Sequence, residues 1–95
     1  MRDEMLMVFV YDISANKARR KVAGILEEGA SRVQKSVFEA RMTRARADAL
    51  TRAATRHLAE GDSLRVYAIS RNGLPRSAAH GTCAPLEPDG AYWVV

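Results

Sequence analysis

The sequence predicts an α+β fold in which two helices pack on one face of a single antiparallel sheet. The first observation is the order of its patterned segments, which is strand, helix, strand, strand, helix, strand. The second is its length, because 95 residues make one small domain and the pattern is complete within residues 1–70. Order and length together are those of the ferredoxin-like βαββαβ arrangement.

The first strand and helix are predicted from a change in apolar pattern. Residues 5–11 form a continuous apolar run, typical of a central strand that is buried on both faces, and Asp12 ends it. Ser14 or Asn16 can cap the helix that follows, and Gly29 is expected to end it. The apolar stripe of this helix consists of Ala18, Val22, Ile25 and Leu26.

The second half of the pattern begins with an extended stretch at residues 32–42. Its apolar side changes phase between Val37 and Phe38, which predicts a bulge or tight reversal that splits the stretch into two short strands. Thr43 is expected to cap a second helix that runs to about residue 59, with Gly61 after it. The stripe of that helix consists of Ala47, Leu50, Ala54 and Leu58.

A fourth strand at residues 63–69 completes the sheet. The face of the sheet opposite the two helices must then be shielded from water. We expect Val8, Val10 and Val66 to be too apolar to face water, so a two-fold homodimer is the economical solution. Glycines and prolines make residues 71–90 a loop-rich connection, with one short strand near residues 82–86. Residues 91–95 are predicted to form a C-terminal strand that packs on a sheet edge of the same domain.

Positive charge is concentrated in the middle of the chain. Residues 17–56 contain eleven lysines and arginines against four acids, a surplus that favours a polyanion-binding face over an ordinary solvated one. Several cations lie at predicted helix starts, where exposed positive charge opposes the helix dipole at about 0.3–1 kcal/mol each. A phosphate site would contain such charges. The candidate nucleic-acid-binding residues are Lys17, Arg19, Arg20, Lys21, Arg44 and Arg46.

Other function classes find little support in the sequence. No apolar run approaches the ~18 residues of a membrane span. The single cysteine, Cys83, fits a reducing cytoplasm, and the acids before the first apolar run argue against a secretory signal. His57 and His80 have no second ligand at metal spacing, and no glycine pattern matches a nucleotide-binding loop.

Two stretches carry a resemblance to a known family. Val10-Tyr11-Asp12-Ile13 and residues 32–39, Arg-Val-Gln-Lys-Ser-Val-Phe-Glu, flank an arginine-rich helix. In order and spacing they resemble the small CRISPR-associated adaptation protein, the dimeric partner of the spacer integrase that is often called the CRISPR endoribonuclease. The resemblance implies a homodimer that binds duplex DNA or single-stranded RNA and contacts the integrase.

The resemblance also implies a site. Asp12 stands where the family has its aspartate, and two copies at the dimer axis would share one Mg²⁺ or Mn²⁺ ion for phosphodiester hydrolysis. Tyr11, Arg19, Arg32 and Phe38 resemble the family's supporting residues. A simpler interpretation of Asp12 is a carboxylate that accepts backbone N–H groups in the turn after the strand.

Three functions follow from these observations. The first is a metal-dependent endonuclease, and the second is a non-catalytic scaffold that bridges integrase assemblies and holds duplex DNA. The third, a generic ferredoxin-like RNA-binding domain, is disfavoured because the predicted strands carry mainly Val, Leu, Met and Ala rather than stacking aromatics. We favour bridging in CRISPR adaptation as the cellular role, with nuclease activity as a separate property.

Overall fold

A computed structural model describes residues 4–69 and the backbone of a further strand at residues 75–81. The elements are β1 (Glu4–Asp12), α1 (Asn16–Glu27), β2 (Ser31–Gln34), β3 (Val37–Thr43), α2 (Arg44–Thr55), β4 (Ser63–Ile69) and β5 (Pro75–Gly81). The strands form one antiparallel sheet in the order β2-β3-β1-β4-β5. The predicted ferredoxin-like fold is therefore confirmed.

The core lies between the helices and one face of the sheet. β1 is the central strand, as predicted, but its side chains alternate: Met7, Phe9 and Tyr11 are buried, whereas Val8 and Val10 are only half-buried in the single chain. The prediction that this strand is buried on both faces is therefore wrong for a single protomer, because both helices lie on the same side of the sheet. The helices contribute Val22, Ala23, Leu26, Ala47, Leu50 and Ala54 to this core.

The strand register corrects the prediction for Val66. Val66 pairs directly with Phe9, and directly paired residues of antiparallel strands project from the same face of the sheet. Since Phe9 is fully buried beneath the helices, Val66 lies in the core rather than on the uncovered face. The apolar part of the uncovered face includes Val8, Val10 and Val37, the last paired with Val10.

The predicted split of the second extended stretch is confirmed, at a slightly different place. The reversal occupies residues 35–36, and the phase change comes from a bulge in β2 between Arg32 and Gln34. The residue inside the bulge, Val33, has no cross-strand partner and is 48% exposed. The bulge therefore leaves Val33 as an exposed apolar side chain.

The helix ends follow the predictions in part. Thr43 caps α2 as expected, with its Oγ1 accepting from the Arg46 amide at 3.2 Å, but α2 ends at Thr55 rather than near residue 59. At α1 the cap residue is Ala15, without a side-chain hydrogen bond, so the predicted cap by Ser14 or Asn16 is wrong. The Ser14 amide instead donates to a carboxylate from the α2–β4 loop.

The two predicted helix-ending glycines have different roles. Gly61 adopts a left-handed φ of 89° in the turn before β4, a conformation that favours glycine. Gly29 follows the C-cap residue Glu28, so α1 ends where predicted, but Gly29 does not adopt a positive φ. A Cβ at Gly29 would lie 3.1 Å from Leu50 Cδ1 and 3.2 Å from Arg46 Nη2, so its small size allows the two helices to approach.

The stretch predicted as a loop-rich connection contains β5. Pro75–Gly81 pairs along the whole of β4, from Ile69↔Pro75 to Ser63↔Gly81, and so satisfies backbone groups that would otherwise form an open edge. The strands predicted near residues 82–86 and at 91–95 lie outside the described residues. Neither α1 nor α2 has the length or apolarity needed to cross a bilayer.

Candidate functional site

A cleft of about 330 Å³ lies where β1 ends and α1 begins. The β2–β3 turn forms its other wall, because the Tyr11 amide donates to the Ser36 carbonyl at 3.1 Å and holds that turn beside β1. The cleft is lined by Tyr11, Asp12, Ile13, Arg19, Arg20, Ala23, Arg32, Lys35 and Ser36. The topology thus gathers residues from both stretches singled out in the sequence.

Among the described residues that line the cleft, Asp12 carries the only carboxylate. Asp12 is exposed, and its side chain makes no hydrogen bond or ion pair with the described residues. It is therefore not the backbone acceptor of the simpler interpretation. An exposed carboxylate without such interactions can bind a metal ion or a substrate without first breaking a contact within the described part of the chain.

Asp62 takes the backbone-accepting role instead, and the sequence analysis missed it. Asp62 is 2% exposed; its Oδ1 accepts from the Ser14 amide at 3.2 Å and its Oδ2 from the Ala59 amide at 2.8 Å. The signal that could have found it is its position directly after Gly61, because Asp commonly accepts backbone N–H bonds in turns. The partner 48 residues away, Ser14, has no sequence signal.

The arginines of the cleft differ in how they are held. Arg19 Nη1 donates to the carbonyls of Ile13 and Ser14, at 3.0 and 3.1 Å. Arg20 is exposed at the cleft, and its side chain makes no hydrogen bond with the described residues. Arg19 therefore stabilises the backbone turn after Asp12, whereas the Arg20 guanidinium is available to a ligand in the cleft.

Arg32 is oriented by three contacts. Its guanidinium lies over the ring of Phe38, with Cζ 5.0 Å from the centroid, and its Nη1 donates to the Lys35 carbonyl at 3.0 Å. Its Nη2 lies 3.5 Å from Glu27 Oε2, an exposed ion pair that contributes little stability. These contacts leave a pre-oriented planar cation at the cleft, which suits two-point binding of a phosphate.

Tyr11 lines the cleft and packs on Phe38, which lies behind it and is not one of the lining residues. Their rings stack with centroids 6.2 Å apart, and both residues are buried. The Tyr11 hydroxyl reaches the Lys35 carbonyl at 3.4 Å, so the same carbonyl receives bonds from Tyr11 and Arg32. Phe38 thus supports Arg32 from below and is not exposed for stacking on a nucleobase.

The remaining predicted cations lie outside the cleft. Lys17 and Lys21 are exposed on the first two turns of α1, close in sequence to the cleft residues Arg19 and Arg20. Arg44 and Arg46 begin α2 at the opposite end of the sheet, because Thr43 pairs with Glu4 while Asp12 is eight residues further along β1. At about 3.3 Å per residue, this places the two groups roughly 26 Å apart along the strand.

The described residues provide only a sparse metal site within one chain. No group of three or more His, Cys, Asp or Glu side chains in residues 4–69 is arranged to hold a metal ion. Asp12 is the one predicted ligand, and its oxygens suit a hard divalent cation. A metal at this position would need additional oxygens from water, substrate phosphate or a second copy of the chain.

Comparison with known proteins identifies the family. The family model described as CRISPR associated protein Cas2 matches residues 5–76. The chain belongs to the Cas2 family of CRISPR-associated proteins. It is 33% identical over 90 residues to the CRISPR-associated endoribonuclease Cas2 3 of Synechocystis sp., a match that covers 94% of this chain and 98% of that relative.

Two further comparisons agree with this result. A CRISPR-associated endoribonuclease Cas2 of Mycobacterium tuberculosis is 36% identical over 66 residues, which cover 70% of this chain and 58% of that relative. The crystal structure of a hypothetical protein from Thermus thermophilus superposes with a TM-score of 0.62 and 29% identity, covering 94% of both chains. The family resemblance drawn from residues 10–13 and 32–39 is confirmed.

Proposed function

We propose that this Cas2 family protein is a cytoplasmic homodimer that binds nucleic acid during CRISPR adaptation and hydrolyses phosphodiester bonds at the cleft. One observation carries the proposal: an exposed Asp12 carboxylate, without a partner among the described residues, shares a 330 Å³ cleft with Arg20, Arg32 and Lys35. Relatives named endoribonucleases add support, since they are 33% and 36% identical to this chain over 90 and 66 residues.

The chemistry assigned to the chain has two parts. Arg20 and Lys35 attract the phosphate backbone, and Arg32, held over the ring of Phe38, orients one phosphate by two parallel donors. Asp12 would hold Mg²⁺ or Mn²⁺ through its carboxylate oxygens. When bound, such a cation supplies charge neutralisation at the phosphate and an activated water.

A second copy of the chain completes this site in our proposal. Two observations support it: the described residues give the cleft one carboxylate per chain, and the uncovered sheet face carries the half-buried valines Val8, Val10 and Val37. Asp12 lies at the end of the same strand as Val8 and Val10, so a two-fold axis through this face can bring two Asp12 side chains together.

A second function, the scaffold, has its own supporting observation. Arg44 and Arg46 lie roughly 26 Å from the cleft along β1 by the strand rise of about 3.3 Å per residue. Basic groups at both ends of the domain can follow the phosphates of a duplex along the length of the protein, a use for which cleavage is not needed. We propose that this surface bridges the integrase assemblies, with hydrolysis as a separate property.

Cleavage by the purified protein tests the enzyme proposal directly. We expect single-stranded RNA or duplex DNA to be cut in the presence of Mg²⁺ or Mn²⁺, and chelation to stop the reaction. Cleavage that continues unchanged in chelator would refute the metal mechanism. An Asp12→Asn preparation purified in parallel controls for contaminating nuclease, and duplex binding without cleavage by either protein would leave the scaffold function alone.

A further inference from the structure

Two residues from distant parts of the chain hold the segment that directly follows Asp12. Asp62, in the α2–β4 loop, accepts from the Ser14 amide at 3.2 Å. Arg19, near the start of α1, donates to the carbonyls of Ile13 and Ser14. The Asp62 carboxylate therefore holds the Ser14 amide, and the Arg19 guanidinium holds the carbonyls of Ile13 and Ser14.

The burial of Asp62 shows that this arrangement is costly and specific. Asp62 is 2% exposed and makes no ion pair with the described residues. A buried carboxylate is tolerated only when its oxygens are well satisfied, here by the backbone amides of Ser14 and Ala59. The loop before β4 is thereby connected to the turn after β1, beside the Asp12↔Ser63 pair that joins the two strands.

Arg19 and Arg20 have opposite surroundings although they are neighbours in sequence. Arg19 is half-buried and uses one guanidinium nitrogen for two backbone carbonyls, whereas Arg20 is exposed and has no partner among the described residues. Arg32 also donates to one backbone carbonyl, but its side chain is 43% exposed, whereas half-buried Arg19 spends its Nη1 on two carbonyls and is less available to a phosphate. Of the two arginines, Arg20 is therefore available to bind phosphate, and Arg19 holds the backbone after Asp12.

We infer that Asp62 and Arg19 are positioning residues that hold the backbone next to Asp12, and hence the place from which its side chain projects, and that Arg20, rather than Arg19, contacts the phosphate backbone. This inference rests on the proposed function in so far as the Asp12 carboxylate serves hydrolysis. It assigns to Asp62 a role in the site, and it replaces the phosphate-binding role that the sequence predicted for Arg19.

The matched variants Arg19→Gln and Arg20→Gln separate the two roles. We expect Arg20→Gln to reduce the slope of log Kd against log salt for duplex DNA by about one, the change expected when a protein neutralises one phosphate fewer. Arg19→Gln should leave that slope unchanged and lower kcat about 10-fold to 100-fold with little change in KM, as removal of a supporting group does. A slope reduced equally in both variants would overturn the assignment.

Asp62 is tested by Asp62→Ala and the more conservative Asp62→Asn. Hydrogen exchange at the Ser14 amide should accelerate in Asp62→Ala, and Mn²⁺ affinity measured by electron paramagnetic resonance should fall about 10-fold to 100-fold. Asp62→Asn, which retains one acceptor oxygen, should recover part of both. Unchanged Mn²⁺ affinity and kcat in a folded Asp62→Ala protein would overturn the positioning role.

Failure of the proposed function gives a different pattern. If the wild-type protein neither cleaves nucleic acid nor binds Mn²⁺, the proposed hydrolysis at Asp12 is refuted. The salt slopes of the arginine variants and the hydrogen exchange of the Ser14 amide then still test the roles of Arg19, Arg20 and Asp62. Retained slope in Arg19→Gln with faster Ser14 exchange would support backbone clamping by Arg19. If Asp62→Ala does not fold, the arginine pair alone decides between phosphate binding and positioning.

Discussion

Substitution of Asp12 by asparagine separates a nuclease from a scaffold. Asp12 is exposed and its carboxylate has no partner among the described residues, so the fold should tolerate the change. Surface substitutions that break no hydrogen bond or packing interaction alter the free energy of unfolding by less than about 0.5 kcal/mol. The thermal midpoint of Asp12→Asn should therefore stay close to that of the wild type.

Cleavage and binding should respond in opposite directions. If the carboxylate holds a cation that contributes about 3–4 kcal/mol to the transition state, its loss lowers the cleavage rate about 10²–10³-fold. Binding should be retained or improve, because removing a charge about 6 Å from a phosphate relieves roughly 0.7 kcal/mol of repulsion in water, before salt screening. That energy corresponds to at most about a threefold gain in affinity.

Single-turnover cleavage with excess protein, measured beside binding by fluorescence anisotropy at the same salt, provides the assay. Asp48→Asn is the matched control, since Asp48 is exposed on α2 and does not line the cleft. Equal cleavage by wild type and Asp12→Asn would refute the catalytic role. A variant that fails to fold would show instead that Asp12 is structural.

The other predictions concern assembly, binding and packing. Sedimentation at micromolar concentration should give twice the chain mass, and a clean monomer would remove the shared metal site. Affinity for unrelated DNA sequences should fall steeply and alike between about 50 and 300 mM salt; equal affinity at both would exclude phosphate-dominated binding. Gly29→Ala should destabilise the fold because its Cβ would crowd Leu50, whereas Gly24→Ala, with open space around it, should stabilise α1 by about 1 kcal/mol in thermal unfolding.

The sequence by itself predicted both helices, the first four strands and several of the residues that line the cleft. The apolar run that ends at Asp12, the helical stripe that follows and the Thr43 cap are local patterns, and local patterns reflect backbone geometry over a few residues. Asp12 and Arg32 could be singled out because residues 10–13 and 32–39 resemble the family by themselves. The central position of β1 also followed from its unbroken apolar run.

Only the tertiary structure decided which of these residues share a site and which do not. Arg20 and Arg32 both line the cleft, whereas Arg44 lies at the far end of the sheet, because strand pairing fixes where each helix begins. Register likewise put Val66 in the core, and the fold brought Asp62 to the turn after Asp12. These interactions join residues far apart in the chain, and no periodicity within a segment can specify them.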